Sequence, residues 1–184
     1  MSHTATYHTD VSWTGEHWGR LVLGNGPEMR FSAPPDAQGH AGVLTPEDAF
    51  VAAANTCVML MFIWAAERFH LNLVSYECHT EGTKLIEFDR REIFTRLYFR
   101  PVIRVQCDAG EKQIAQARTR RALHAAQKYS LVANSVKSEI VIEPDIQVSE
   151  TAGGGTGRSE KGTPGTNASW ILLSSRGSPR AGRL

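Results

Sequence analysis

Hydrophobic positions begin with a period of two, merge into one long apolar run, then return to a period of two. The opening segments YHTDVSW, HWGRLVLGN and EMRFSAPP read as three short strands, parted by Thr14-Gly15 and by Asn25-Gly26-Pro27. The third ends at Pro34-Pro35, since proline cannot donate to a ladder. A glycine-rich loop, DAQGHAGV, leads to a clear helix start. Thr45 is a good N-cap, and Pro46 suits the first helical position, where an N–H has no partner to lose. Glu47 and Asp48 put negative charge at the positive end of the helix dipole. The helix is expected to stop near residues 70–72.

The segments LNLVSYECHTEGT and IEFDRREIFTRLYFRPVIRVQC alternate again, with Glu87, Asp89, Arg96, Arg100 and Arg104 between apolar neighbours. This pattern predicts long antiparallel strands with one wet face. A polar, alanine-rich helix over about residues 110–128 should pack by a narrow stripe around Ile114, Ala122 and Ala126. The strand SEIVIEP closes the domain near Pro144. From Thr151 the chain turns glycine-, serine- and threonine-rich and loses periodicity, apart from an isolated apolar patch, WILL. The expected organisation is one domain over residues 1–148 and a disordered tail over residues 149–184. The fold class is α+β, an antiparallel sheet wrapped around a long buried central helix.

The apolar run over residues 49–66 has only Asn55 and Thr56 as polar breaks, close to the length of a membrane span. That polar pair lies mid-segment, no basic cluster flanks the run, and both neighbours read as strands of a soluble sheet. A buried core helix is therefore favoured, with no membrane partner. A helix apolar all round needs cover on every side. One sheet and one polar helix in a domain of roughly 150 residues fall short of that. A second copy of the chain would supply the cover, so the expectation is an obligate homodimer.

Charge changes the picture modestly. The net charge is +1, but residues from Thr151 onward carry five basic side chains and one acidic, leaving −3 on the body. An acidic body argues against nucleic acid as the partner. Arg118, Arg120 and Arg121 are read as a solvated helix face. Three irregularly spaced cysteines make no disulfide framework, and no signal-peptide pattern opens the chain, so the cytoplasm is the default compartment. The seven histidines show no i, i+4 pairing, so no metal site is expected.

Cys57 lies in the middle of the apolar helix. A free cysteine often only fills core space. Dry surroundings disfavour a thiolate, so reactivity would need a nearby cation or hydrogen-bond donor. The segments WTGEHWG, FSAPP and LTPED, a cysteine ten residues after Glu47, EGT, and KYSLVANSVKSEIVIEP together resemble the OsmC/Ohr family of thiol-dependent peroxidases acting on organic hydroperoxides. The resemblance covers roughly residues 5–148 and leaves out the tail. It implies an intertwined α+β dimer with active sites at the subunit interface. It also implies Cys57 as peroxidatic cysteine, Glu47 as the glutamate of the PE motif, and Arg20 as the arginine pairing with the thiolate, with Arg30 as a substitute. Val58, Met61 and Phe62, with Met59 and Trp64, would wall the substrate pocket.

On one helix, Glu47 and Cys57 would stand about 15 Å apart. Either the helix begins after Glu47, or one site takes its Glu and Cys from different chains. The family's second, resolving cysteine is replaced here by Ser130, which cannot form a disulfide. Cys78 and Cys107, in strand-like runs, read as structural. The expectation is therefore a one-cysteine peroxidase without bound cofactor, recycled by an external thiol or dithiol. The alternative is a catalytically weakened relative that binds a small apolar molecule at the dimer interface.

Overall fold

A computed structural model describes residues 3–151. Most of the segment read as a disordered tail lies outside them. Three antiparallel strands, β1 (Thr9–Gly15), β2 (Trp18–Leu23) and β3 (Glu28–Ser32), form a small separate sheet in that order. Gly15 takes φ 111° and Glu16 φ 47° at the first turn, left-handed conformations that explain glycine there.

The first helix, α1 (Pro46–Arg68), starts where its end signals place it. The Asp48 N–H donates to Thr45 Oγ1 at 3.1 Å, and the Thr45 hydroxyl donates to Asp48 Oδ2 at 2.8 Å. The helix stops at Phe69, whose N–H still donates to Ala65, while His70 turns left-handed at φ 53°. Strands β4 (Asn72–Ile86) and β5 (Glu92–Cys107) then form a long antiparallel hairpin. Gly82 of β4 lets α1 approach closely, since a Cβ there would lie 2.8 Å from Val51 Cγ2 and 2.7 Å from the Phe94 ring.

Helix α2 (Lys112–Tyr129) and the short α3 (Leu131–Ser135) cross back over, and β6 (Glu139–Ile142) and β7 (Asp145–Glu150) finish the second sheet. Both late strands pair with β5 in parallel, so this sheet is mixed and not wholly antiparallel as expected. The helical crossover returns the chain to the starting end of the sheet, which forces the parallel direction. Strand β7 had no counterpart in the sequence reading and carries the domain past its expected end at residue 148.

Two apolar clusters hold the layers together. Phe62, Ala65 and Ala66 of α1 pack with Ile103 and Val105 of β5 and with Ala122, Leu123 and Ala126 of α2. Ala54 and Val58 pack with Leu97 and Phe99. The buried stripe of α2 runs through Ala115, Thr119, Ala122 and Ala126, while Ile114 is 49% exposed, which corrects the expectation for that residue. Spacings of four, three and four keep one helical face; position 114 lies a further ~100° round. Buried Thr119 is satisfied because its hydroxyl donates to the Ala115 carbonyl at 2.8 Å.

The long helix is only partly covered by its own chain. Its buried residues are Ala54, Val58, Phe62, Ala65 and Ala66, whereas Leu60 stays 57% exposed and Trp64 48% exposed on the far side. The small sheet is similarly open, with Val11 and Trp13 largely exposed. By length and composition α1 could cross a membrane; here it is the central helix of an α+β domain, packed on β4, α2 and α3.

Replacing Thr45 by alanine removes the acceptor for the Asp48 N–H and should lower stability by about 1 kcal/mol, with Thr45→Ser close to wild type. Urea unfolding midpoints measure this; equal midpoints for all three proteins would remove the cap from the account.

Candidate active site

Cys57 occupies the fourth turn of α1, half-buried, on the side that faces the α2–α3 junction. Ser130 is that junction. Its backbone (φ −65°, ψ 115°) ends α2 and begins α3. Its side chain, fully buried, accepts from the Ala133 N–H at 3.3 Å and donates to Cys57 Sγ at 3.3 Å. The hydroxyl thus caps one helix and offers its single proton to sulfur.

The other expected site residues lie elsewhere in the chain. Arg20, on β2, is half-exposed, and its guanidinium grips Glu28 through both Nε and Nη2, the latter at 2.6 Å. This bond is the main reason the Glu28 carboxyl is held below its usual range. Arg30 lies over the Trp18 ring at 4.0 Å, and Trp18 also stacks on His40 at 4.1 Å. Within one chain, therefore, the bonded partner of Arg20 is Glu28, and that of Cys57 is Ser130.

Glu47 lies within the first turn of α1, so the helix does not begin after it. The continuous helix separates Glu47 from Cys57 by about 15 Å. Glu47 borders a cavity of about 240 Å³ with Phe50, Lys84, Glu92 and Phe94. One carboxylate oxygen lies 3.8 Å from Lys84 Nζ, and the other, Oε2, is buried without a hydrogen-bond partner. Lys84, itself 2.7 Å from Glu92, was missed by the sequence reading. The only signal for it was its place two residues beyond the Gly82 against which α1 packs.

Val58 and Phe62 do not stand as pocket walls. Both are fully buried in the core clusters. They sit on the sheet-facing side of α1, Val58 about 100° round from Cys57. Met61, four residues on from Cys57, is half-buried at the margin of the core. Cys78 Sγ lies 3.6 Å from Thr80 Oγ1, and its carbonyl accepts from Asn55. The nearby Tyr76 phenol is pushed well up, first by burial and then by Cys78. The Cys107 thiol is also raised, mainly by burial and then by Glu150. Among the described residues no group of three His, Cys, Asp or Glu side chains converges as a metal site would need.

Comparison with known proteins bears on this geometry. Residues 39–145 match the family described as OsmC-like protein. No curated protein matches the chain. Among solved structures, an OsmC-like protein of unknown function from Vibrio cholerae is 22% identical with TM-score 0.68, over 77% of this chain and 99% of that one. An organic hydroperoxide resistance protein from Elizabethkingia anophelis is 15% identical with TM-score 0.59, over 82% and 100%. One from Bacillus subtilis is 13% identical with TM-score 0.51, over 78% and 100%. At these identities the likeness is one of fold.

A Ser130→Cys variant should close a disulfide with Cys57 under mild oxidation, visible as linked peptides spanning positions 57 and 130 on non-reducing peptide mapping. Ser130→Ala should slow alkylation of Cys57 by about fivefold, the worth of one hydrogen bond of roughly 1 kcal/mol. Unlinked peptides together with unchanged alkylation would show that the hydroxyl and sulfur do not meet in solution.

Proposed function

This chain belongs to the OsmC-like family, and on that footing we propose that it is a thiol-dependent peroxidase reducing organic hydroperoxides through Cys57. The observation that carries the reading is the buried Ser130 hydroxyl directed at Cys57 Sγ from 3.3 Å. Two of the similar structures, from Elizabethkingia anophelis and Bacillus subtilis, bear the name organic hydroperoxide resistance protein. In the proposed reaction the thiolate attacks the terminal oxygen of R–O–O–H and the O–O bond breaks. Sulfur becomes a sulfenic acid, and the alkoxide takes a proton and leaves as alcohol. One external thiol then condenses with the sulfenic acid, releasing water and leaving a mixed disulfide. A second thiol displaces the first as a disulfide and restores Cys57. Ser130 cannot close an internal disulfide, so the cycle depends on that external reductant.

Thiolate activation calls for a cation, and we assign it to a guanidinium, Arg20 foremost, delivered by a second copy of the chain in a homodimer. Three observations support the assembly. Leu60 and its neighbours Ala53 and Thr56 form an open stripe on α1. The β1–β3 sheet leaves Val11 and Trp13 uncovered. The buried Glu47 Oε2 lacks a donor, which a guanidinium would supply. Because Glu47 and Cys57 stand ~15 Å apart on one helix, each site would take its glutamate, like its arginine, from the copy that does not supply the cysteine.

A second reading has a specific observation in its favour. Arg20 is already engaged by Glu28. If that pair persists in the dimer, the cysteine loses its cation, and the protein becomes a weakened relative holding an apolar small molecule.

With cumene hydroperoxide and dithiothreitol, the wild-type protein should consume peroxide and Cys57→Ser should not; equal rates would end the peroxidase reading. Independently, Leu60→Glu should convert a dimer to a monomer in sedimentation velocity. A monomeric wild type, or a variant that stays dimeric, would overturn the proposed interface.

A further inference from the structure

A groove of about 730 Å³ runs between the C-terminal halves of α1 and α2. It is lined by four permanent cations, Arg68, Arg120, Arg121 and Lys128, with His124 beside them and no carboxylate. Elsewhere the described basic side chains are largely matched. On the mixed sheet, Arg96, Arg100 and Arg104 each reach a glutamate, as does Lys84. None of the four groove cations forms an ion pair among the described residues. This concentration stands out on a body whose net charge is negative.

Aromatic rings hold three of these cations in place instead. Arg68 Cζ lies 5.9 Å from the Trp64 ring centre, Arg121 Cζ 5.4 Å from Phe69, and Lys128 Nζ 5.3 Å from Tyr129. Trp64 and Tyr129 meet edge to face at 6.4 Å, forming an aromatic corner with Ala65 and Ala125 on the groove floor. A cation–π contact leaves guanidinium N–H groups free for an acceptor. Arginine forks match phosphate oxygens. By sequence Arg118, Arg120 and Arg121 share one solvated face. The fold separates them, since only Arg120 and Arg121 line the groove.

We propose that this groove binds an organic phosphate with a flat aromatic body, of the nucleoside diphosphate class. Several cations without counter-ions favour a multiply charged head, and the Trp64–Tyr129 corner accepts a planar body. The site is independent of the thiol chemistry, because its charged groups are not those around Cys57.

Isothermal titration of the full-length protein, in its native assembly, tests this with ADP, pyrophosphate and adenosine. ADP should bind at least about tenfold more tightly than adenosine, and more tightly than pyrophosphate. Its affinity should fall as salt rises. The variants Arg68→Ala and Arg121→Ala should each weaken ADP by about tenfold, and the double variant further, while circular dichroism stays native. Cys57→Ser should bind ADP as wild type does. Any of three results would overturn the proposal: no heat with ADP, adenosine binding as well as ADP, or ADP affinity indifferent to both arginines. Loss of ADP binding in Cys57→Ser would assign the anion to the cysteine site and likewise overturn it. A failed peroxidase assay leaves this experiment unaffected, so the two readings stand or fall separately.

Discussion

The close approach of α1 and α2 is the contact on which the rest of the molecule depends. Alanines make it: Ala65 and Ala66 on one helix, Ala122 and Ala126 on the other, all buried. Small side chains let two helix backbones draw near, and the interaxial distance follows from what stands at the crossing. That distance decides whether the end of α2 arrives beside the fourth turn of α1. Ser130 meets Cys57 at 3.3 Å because the helices cross closely just before that point. Beside the same crossing lies the groove, lined by Ala65 and Ala125 together with larger residues such as Trp64 and Tyr129. One contact thus borders both the half-buried thiol and the cationic cleft.

Much of this was legible in the sequence, for local reasons. The start of α1 could be read because capping is local, with Thr45, Pro46, Glu47 and Asp48 within one turn. The β4–β5 hairpin could be read because alternation is local too. The parallel direction of β6 and β7 could not, since it is set by a crossover and not by the strands' own pattern. On α2 bulk favours Ile114 but helical angle excludes it, and the core takes small Ala115 and hydrogen-bonded Thr119 instead.

The candidate site divides in the same way. Cys57 and Ser130 were paired through the family resemblance, and the chain brings them together. Val58 and Phe62 were apolar and near the cysteine in sequence, which suggested pocket walls. Helical geometry turns them to the sheet, where both are fully buried. The partner of Arg20 was illegible because Glu28 lies on a different strand, and only the pairing of β2 with β3 brings the two together. Lys84 was illegible for a like reason, as its meeting with Glu47 depends on how α1 lies across β4.

The parallel edge of the second sheet has a kinetic corollary. The β4–β5 hairpin joins neighbours in sequence and can zip early. Strands β6 and β7 dock on β5 only after the intervening helices have folded over it, with Arg96 meeting Glu139 and Val102 meeting Asp145. Closing a loop over such separations costs more chain entropy than turning a hairpin. Until α2 docks, Ser130 has no fixed place beside Cys57. On the ribosome Cys57 emerges 73 residues ahead of Ser130, so the cysteine exists before its hydroxyl neighbour does.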